Sequence, residues 1–264
     1  MKIYLLLFLS FSGLQSFAKE FKIGCSHTCN SEVTTSLKQI SKTLLLKLTI
    51  IDLSLIKKID WSSLDGVIIP GGEDIDPKYY LSFVETDLQE HTRSLDYLVE
   101  YTDEGKARDP FEYKLLQDYF SNENLQNFPL LGICRGMQMM AVSLGIPLYV
   151  DIKTELGIPN RRDLYDQINV NDADSLMMVL FPNTFFAYKY HHQGLRVPYF
   201  QKFKSRWPKV KVTATSNNGK IAESIEISDR PALGIQFHPE TDNNMIRKMI
   251  FTWFLNKAAS SKKE

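Results

Sequence analysis

The segment Pro129–Met140, with the sequence PLLGICRGMQMM, predicts a buried strand that turns sharply into a helix. An apolar run leads into the turn, and apolar residues recur at helical spacing after it. Gly132 and Gly136 stand two residues before and two residues after Cys134, so small residues surround the cysteine where the backbone must bend. This pattern leaves two interpretations of Cys134: a nucleophile at the apex of the turn, or a small buried residue of the core.

A nucleophilic cysteine at such a turn would be assisted by the backbone. The Gly-x-Cys-x-Gly spacing matches the Gly-x-Ser-x-Gly elbow of serine hydrolases, in which the N–H after the nucleophile contributes to the oxyanion hole. A thiol at a helix N-terminus also meets the positive end of the helix dipole, which favours the thiolate. Cysteine hydrolysis further requires a general base, and the chain has five histidines that could supply it.

The segment GIQFHPE places one of these histidines, His238, close to a carboxylate. Pro239 biases His238 away from the helical region, and residues two apart in an extended chain point to the same side. His238 and Glu240 are therefore predicted to lie side by side, with the carboxylate orienting the imidazole. Taken alone, a His-Pro-Glu sequence is typical of a surface turn. Together with the Gly-x-Cys-x-Gly elbow, it predicts a triad of Cys134, His238 and Glu240.

Alternating strand and helix signals predict an α/β fold in a single domain. Such alternation favours a central, mostly parallel sheet with helices on both faces. In the first half, we predict strands at Phe21–Gly24, Leu48–Leu53, Leu64–Gly72 (including its Pro-Gly-Gly loop) and Phe128–Ile133, helices at Ser31–Leu46, Phe111–Phe120 and Gln138–Leu144, and a long irregular loop at Asp74–Glu104.

The second half is richer in strand signals and ends in a helix. We predict strands at Leu148–Ile152, Gln167–Val170, Phe185–Tyr190, Val210–Thr215, Ile221–Ile227 and Leu233–Phe237, a hairpin turn at Asn218-Gly219 and a helix at Asn244–Lys257. One face of this last helix is predicted to carry Met245, Met249, Ile250, Trp253 and Phe254.

The composition restricts the partners of the chain. Hydrophobic residues make up 44% and charged residues 23%, as in ordinary globular proteins. Lys plus Arg and Asp plus Glu both number 31, so the formal net charge is zero. This balance does not favour nucleic acid or an anionic membrane as a partner. No further ligand residues lie near the cysteines at metal-site spacing, so we expect no metal site there. Acyl transfer by a thiol also needs no organic cofactor, and we expect none.

The first eighteen residues have the features of an export signal. Lys2 precedes an apolar stretch that is too short to span a bilayer, and Ser16-Phe17-Ala18 fits a signal-peptidase site. The alternative is a buried first strand, although Phe21–Gly24 already supplies one. We therefore expect a signal peptide at 1–18 and a mature domain at 19–264, periplasmic or secreted. Without such a signal the protein would be cytoplasmic, and no stable membrane association is expected after cleavage.

Export bears on the three cysteines. In an oxidising compartment, Cys25 and Cys29 could form a disulfide, but their spacing alone does not establish the required geometry. Cys134 would then remain as a free thiol, which in an exported protein calls for an explanation. A nucleophilic role would provide one.

Five motifs in order carry a resemblance to a known family. They are PGGEDIDPKYY, RDPFE, GICRGMQ, HHQGL and GIQFHPE. The combination resembles class I glutamine amidotransferase-like hydrolases, and within them the γ-glutamyl-γ-aminobutyrate hydrolases of peptidase family C26. The resemblance covers roughly residues 21–257. It implies a flavodoxin-like class I glutamine amidotransferase fold with a nucleophile elbow.

The resemblance also implies roles for individual residues. Cys134 would attack a γ-glutamyl amide, His238 would act as base and then acid, and Glu240 would orient it. The backbone N–H groups of Gly72 and Arg135 would form the oxyanion hole. Gln138 matches a position that touches the γ-glutamyl group in the wider family. The segment His191, His192 and Gln193 matches a loop near the active site of this branch, where it would contact substrate.

Two of the motifs have a plainer alternative. The HHQGL segment could be a polar loop that only caps a strand. In RDPFE, we expect Arg108, Asp109 and Glu112 to be structural, at a helix start with Pro110 in the first turn.

Three functions remain open from the sequence. The first is a stand-alone hydrolase that releases glutamate from small γ-glutamyl compounds: γ-glutamyl-γ-aminobutyrate, γ-glutamyl peptides or polyglutamates. The second is a glutaminase-type amidotransferase subunit that works with a separate synthetase. The third is a non-catalytic binding protein of the same fold. A homodimer is compatible with each of them, and export would speak against the second.

Overall fold

The computed structural model describes residues 20–159, 161–181, 183–242 and 244–261. The predicted signal peptide lies outside the described residues. The strands are β1 (Glu20–Cys25), β2 (Lys47–Asp52), β3 (Gly66–Ile69), β4 (Leu130–Ile133), β5 (Leu148–Tyr149), β6 (Arg161–Val170), β7 (Thr184–His191), β8 (Gly194–Leu195), β9 (Val210–Ser216), β10 (Ile221–Ile227) and β11 (Ala232–Ile235). The α-helices are α1 (Ser31–Thr43), α2 (Lys78–Leu81), α3 (Thr86–Ser94), α4 (Asp103–Ser121), α5 (Arg135–Ser143), α6 (Ile152–Leu156), α7 (Leu176–Leu180), α8 (Val197–Lys202) and α9 (Asn244–Ser260).

The main sheet has the strand order β2-β1-β3-β4-β11-β10-β9-β6-β7. Its first five strands are parallel neighbours, whereas β10, β9, β6 and β7 continue the sheet with antiparallel pairing. The predicted α/β fold is confirmed, with parallel strands at its centre. Because β3, β4 and β11 run in the same direction, their carboxyl ends meet at one edge of the sheet, where open α/β sheets bind ligands.

Helices cover both faces of this sheet, as predicted. Alternate residues of a strand point to opposite faces, so Val67 and Ile69 of β3 join one core and Ile68 joins the other. The first core contains α4 and α5, and the second contains α1 and α9. Within the described residues, no helix combines the length and apolarity needed to cross a membrane.

The prediction of a long irregular loop at Asp74–Glu104 is wrong. This segment contains α2, α3 and a short 3-10 helix at Asp96–Leu98, and α4 begins within it. The exposed α3 buries only Thr92, so it lacks the apolar stripe from which a helix is ordinarily predicted.

The prediction that a helix starts near Pro110 is also wrong. Helix α4 begins seven residues earlier, at Asp103, and Pro110 lies in its interior. The side chain of Thr102 caps the helix by accepting a hydrogen bond from the N–H of Glu104. The carboxylate of Glu73 adds a second cap, because it accepts from the N–H of Gly105 at 3.3 Å. These two caps set the true start of the helix.

The second half follows the sequence prediction with local corrections. The β9–β10 hairpin is confirmed, and its turn residues Asn217, Asn218 and Gly219 all have positive φ. The predicted strand at Leu148–Ile152 is shorter, since Ile152 already begins α6. Met245 of α9 is 59% exposed and does not share the buried face, which carries Ile246 instead. Helices α6, α7 and α8 were not predicted.

Candidate active site

Cys134 lies at the sharp turn between β4 and α5, at the carboxyl edge of the sheet. Its backbone has φ 50° and ψ −105°, an unfavourable conformation for a residue with a side chain. Such strain is held by the surrounding structure and is common at functional sites. The N–H of Cys134 donates to the carbonyl of Ile235 at 2.7 Å, which fixes the turn to β11.

The two glycines of the elbow, Gly132 and Gly136, lie so close to neighbouring atoms that a side chain would not fit at either position. A Cβ atom at Gly136 would lie 2.0 Å from the carbonyl oxygen of Ile69 in β3. A Cβ atom at Gly132 would lie 2.6 Å from Sδ of Met140 and 2.8 Å from the backbone of Gly136. Larger residues would therefore push α5 away from the sheet. The sequence prediction of a strand–turn–helix elbow is in agreement with this geometry.

His238 and Glu240 lie together beyond the end of β11. Nδ1 of His238 is 2.8 Å from Oε1 of Glu240, whose side chain is 1% exposed. The N–H of His238 donates to the carbonyl of Tyr188 in β7, which positions the backbone that carries the imidazole. Glu240 thus fixes the ring orientation by its contact with Nδ1, so that Nε2 is the ring nitrogen available for proton transfer.

The imidazole faces the thiol across Gly71. A Cβ atom at Gly71 would lie 3.1 Å from Cε1 of His238 and 3.7 Å from Cβ of Cys134. Burial lowers the pKa of His238, but the neighbouring Cys134 and the Glu240 carboxylate raise it more strongly, and the net pKa lies well above its usual value. Within the described residues, the buried Nε2 of His238 has no hydrogen-bond partner. The arrangement favours a protonated imidazole beside Cys134.

Two backbone N–H groups are available next to the thiol. Gly72 lines the cavity above Cys134, and Arg135 is the first residue of α5. Among the described residues, neither N–H donates to a backbone carbonyl. Donors that remain unused beside a nucleophile can bind an oxyanion. The structure therefore brings the two predicted oxyanion donors to the same place as Cys134.

These groups open onto a cavity of about 440 Å³ at the carboxyl edge of the sheet. Its walls come from the loop after β3, from the start of α4, from α5 and from the end of β7. The lining residues are Gly72, Glu73, Asp74, Glu100, Thr102, Glu104, Cys134, Gln138, Tyr190, His191, His192, Gln193 and His238. All four residues predicted to contact substrate are among them.

Gln138 lines the cavity as part of an amide network that reaches the thiol. Its Nε2 donates to the carbonyl of Gln193 at 3.0 Å and to Oε1 of Gln236 at 3.2 Å. Nε2 of Gln236 in turn donates to Sγ of Cys134 at 3.6 Å. Gln236 is fully buried and was not singled out from the sequence, although it lies two residues before His238 and within the predicted strand Leu233–Phe237. That spacing is the signal that could have found it.

The HHQGL segment connects the cavity to the loop after β3. His192 lies between two carboxylates: Nε2 is 2.8 Å from Oδ1 of Asp74, and Nδ1 is 3.2 Å from Oδ1 of Asp151. Gln193 uses both ends of its side-chain amide on the backbone of Ile75. Nδ1 of His191 is 2.8 Å from the carbonyl of Gln193. All three residues line the cavity and also hold its walls, so a structural role is present and substrate contact stays a prediction.

A buried charge cluster lies behind the elbow, contributed by the RDPFE motif. The guanidinium of Arg135 pairs with Asp109 and Glu112, and Arg108 bonds Glu112 at 2.9 Å. Burial acts to raise the pKa of Glu112, but Arg135 and Arg108 lower it more, and the net pKa lies below its usual value. Ser26 donates to the same carboxylate at 2.6 Å. The cluster ties α4 to α5.

Cys25 and Cys29 form a disulfide at the carboxyl end of β1, and Cys134 is the free cysteine. The disulfide that the sequence left open is therefore present. Over the described part of the chain, no group of three or more His, Cys, Asp or Glu side chains is arranged to hold a metal ion.

Residues 26–240 match the family model Peptidase C26. The chain belongs to the peptidase C26 family. It is similar to Protein NtpR of Enterococcus hirae, with 30% identity over 210 residues that cover 74% of this chain and 75% of the relative. It is also similar to a GMP synthase [glutamine-hydrolyzing] of Limosilactobacillus reuteri, with 33% identity over 136 residues that cover 52% of this chain and 22% of the relative.

Solved structures share the fold of this C26 family member. The glutaminase domain of Trypanosoma brucei CTPS with bound acivicin has a TM-score of 0.64 at 15% identity, with 90% of this chain and 94% of that chain covered. A glutamine amidotransferase of Thermotoga maritima has a TM-score of 0.54 at 15% identity, with coverage of 94% and 86%. The predicted class I glutamine amidotransferase fold is confirmed, and the family match confirms the resemblance inferred from the motifs.

Proposed function

We propose that this C26 family member is a stand-alone cysteine hydrolase that cleaves γ-glutamyl amide bonds and releases glutamate. The observation that carries the proposal is the convergence of Cys134, the His238–Glu240 pair and two unused backbone N–H groups on one open cavity. Nucleophile, acid–base group and oxyanion donors are the parts that acyl transfer requires.

The reaction has two halves. The Cys134 thiolate attacks the γ-carbonyl carbon, and the resulting oxyanion is bound by the N–H groups of Gly72 and Arg135. The His238 imidazolium gives its Nε2 proton to the amine as the C–N bond breaks, and a thioester with Cys134 remains. The neutral imidazole then takes a proton from water as the hydroxyl attacks the thioester. Glutamate leaves, and thiolate and imidazolium are restored.

The polar lining of the cavity supports a γ-glutamyl substrate. Such a substrate carries an α-ammonium group, and the carboxylates of Glu73, Glu100 and Glu104 line the cavity together with Gln138. Carboxylates near a ligand ammonium group favour its binding. We assign substrate contact to the exposed polar atoms of this wall, together with His191, His192 and Gln193.

Glutamate release from a substrate panel tests the proposal. The panel contains γ-glutamyl-γ-aminobutyrate, γ-glutamyl dipeptides, a short polyglutamate and glutamine, each incubated with the purified wild-type chain and with Cys134→Ala. Release by the wild type alone supports the proposal, and the preferred compound identifies the leaving amine. A folded wild-type chain that releases no glutamate from any compound overturns it.

A glutaminase-type amidotransferase subunit is the second candidate. It is favoured by the similarity to a GMP synthase whose name describes glutamine hydrolysis. The two candidates differ in their dependence on another protein: a glutaminase of this type would hydrolyse glutamine only with its synthetase. Binding of γ-glutamyl compounds without turnover, in either setting, would instead identify a non-catalytic binding protein.

We further propose that the chain is exported and that residues 1–18 are removed. The Cys25–Cys29 disulfide supports this proposal, because disulfides persist in oxidising compartments. N-terminal sequencing of the protein recovered from the producing cell tests it: a chain that begins near Lys19 supports export, and a chain that retains Met1 in the cytoplasm contradicts it. A homodimer remains a prediction, which light scattering of the purified chain would test.

A further inference from the structure

Arg108 donates hydrogen bonds to two consecutive backbone carbonyls of the loop that follows β3. Its Nη2 is 3.1 Å from the oxygen of Pro70, and its Nη1 is 3.0 Å from the oxygen of Gly71. The side chain is 4% exposed. This loop carries Gly72, whose N–H is one of the two oxyanion donors assigned above.

The bond to Gly71 determines where the N–H of Gly72 points. In a trans peptide unit, the C=O and the following N–H point in opposite directions. The Gly71 carbonyl points to Arg108, so the N–H of Gly72 points away from Arg108, toward the cavity that Gly72 and Cys134 share. Rotation of this one peptide unit would turn an oxygen into the oxyanion hole in place of a donor.

Arg108 is itself held on both sides. Its Nε and Nη2 donate to Oε1 of Glu112 at 3.1 and 2.9 Å, and Nη1 also contacts Glu104 at 3.2 Å. Glu112 pairs in addition with Arg135, whose own N–H is the second oxyanion donor. The buried carboxylate of Glu112 therefore contacts both Arg108, which bonds the Gly71 carbonyl, and Arg135, which carries the second donor.

The contact also leaves no space for a side chain at position 72. A Cβ atom at this position would lie 2.2 Å from Nη1 of Arg108. The guanidinium thus packs directly on the glycine while it bonds the preceding carbonyl. The loop is held by packing and by hydrogen bonds from the same group.

We infer that Arg108 is a positioning residue that fixes the Gly71–Gly72 peptide unit in the oxyanion-binding orientation before substrate arrives. The inference rests on the proposed function for its catalytic consequence. A donor that is already oriented needs no reorganisation during the reaction. The hole is therefore complete in the isolated chain, and turnover does not depend on a partner protein to form it.

Arg108→Lys tests this role, because lysine keeps the charge but cannot bond both carbonyls in the planar fork geometry of arginine. We expect kcat to fall about 10²-fold, the lower end of the loss seen for one oxyanion donor, while KM changes little. Alkylation of Cys134 by iodoacetamide should proceed at the wild-type rate, since the thiol and His238 are untouched. If kcat is unchanged, or if alkylation slows in proportion to kcat, the inference is overturned.

Arg230→Lys is the matched control. Arg230 is equally buried and donates to the backbone carbonyl of Tyr119 at 2.6 Å, at the opposite edge of the sheet. Its substitution should leave kcat at the wild-type value. If Arg108→Lys fails to fold, Arg108→Gln, which retains a donor for one carbonyl, replaces it.

Crystal structures of the wild type and of Arg108→Lys separate this inference from the proposed function. We expect the Gly71–Gly72 peptide unit to be rotated or disordered in the variant and ordered in the wild type. An unchanged peptide unit overturns the inference even if γ-glutamyl compounds are hydrolysed. If the wild type releases no glutamate, the proposed function fails, and the orientation of the peptide unit still decides the role of Arg108.

Discussion

Nδ1 of His238 lies 2.8 Å from Oε1 of Glu240, and only Pro239 separates the two residues in the chain. The carbonyl of His238 accepts from the N–H groups of Thr241 and Asp242, so the chain turns here, and this turn, not the predicted extended backbone, brings the two side chains together. The pair orients the imidazole and helps to keep it protonated. Both effects depend on the negative charge of Glu240, which makes its removal informative.

Glu240→Gln should shift the pH dependence of turnover. The raised pKa of His238 keeps the imidazole protonated above its ordinary range, and the leaving amine needs this proton. Without the carboxylate, the pKa of His238 falls and the alkaline limb of kcat moves to lower pH. At pH values above the wild-type pKa, a fall of one pH unit in this pKa lowers the rate about tenfold. A kcat–pH profile measures the change, with Glu226→Gln as a control remote from the site. An unchanged alkaline limb would contradict the assigned role of Glu240.

Gly136→Ala should destabilise the chain strongly. A Cβ atom there would lie 2.0 Å from the carbonyl oxygen of Ile69, so α5 would have to move from the sheet. Gly157→Ala is the matched control, since its Cβ would meet nothing within 4 Å and only its positive φ of 66° opposes alanine. That backbone penalty is roughly 1–2 kcal/mol. Urea unfolding should show a larger loss for Gly136→Ala, and an equal or smaller loss would contradict the close packing of the elbow.

The elbow at Cys134 and the His–Glu pair could be predicted because each arises from neighbours in sequence. The spacing of glycines around Cys134 and the two-residue separation of His238 and Glu240 contain the necessary information. The long-range contacts could not be predicted. Arg108 bonds the carbonyl of Gly71, which lies 37 residues away in the chain, and no local sequence pattern predicts such a contact.

The start of α4 was mispredicted for a physical reason. Its buried face carries Arg108, Asp109 and Glu112 as well as leucines, so the charged side chains that usually mark a solvated face here lie inside. Periodicity of apolar residues is the main signal for a helix, and a charged buried cluster removes it. The same cluster supports the loop that carries Gly72, and so the local rule fails beside the candidate site.

Gln236→Met should weaken the nucleophile. Nε2 of Gln236 donates to Sγ of Cys134 at 3.6 Å, and a donor at this distance stabilises negative charge on sulfur. Methionine has a similar volume but no N–H, so we expect alkylation by iodoacetamide at neutral pH to slow several-fold. The rate with the wild type, and with Gln126→Met at a site remote from the thiol, provides the comparison. Equal alkylation rates in wild type and Gln236→Met would show that the amide does not act on the thiol.

The carboxylates of the cavity wall should select the charge of the leaving amine. Glu73, Asp74, Glu100 and Glu104 all line the cavity, although Glu104 pairs with Arg108 and Asp74 contacts His192. Two substrates provide a matched comparison: γ-glutamyl-1,4-diaminobutane and γ-glutamyl-γ-aminobutyrate have leaving amines with four-carbon chains and opposite terminal charges. We expect a lower KM for the diamine compound, and the preference should shrink between about 0.05 and 0.5 M salt because ions screen the interaction.

Glu100→Gln tests the origin of this preference. Glu100 is exposed at the cavity wall, and its substitution leaves the elbow, His238 and the Arg108 contacts in place. Single exposed charge interactions are weak, so we expect the KM ratio of the two substrates to change roughly two- to fivefold with kcat preserved. Glu90→Gln, an exposed carboxylate on α3 outside the cavity, should leave the ratio unchanged. A wild-type preference for the aminobutyrate compound would mean that the wall carboxylates act only on the α-ammonium group of the glutamyl part, as proposed above, and not on the leaving amine.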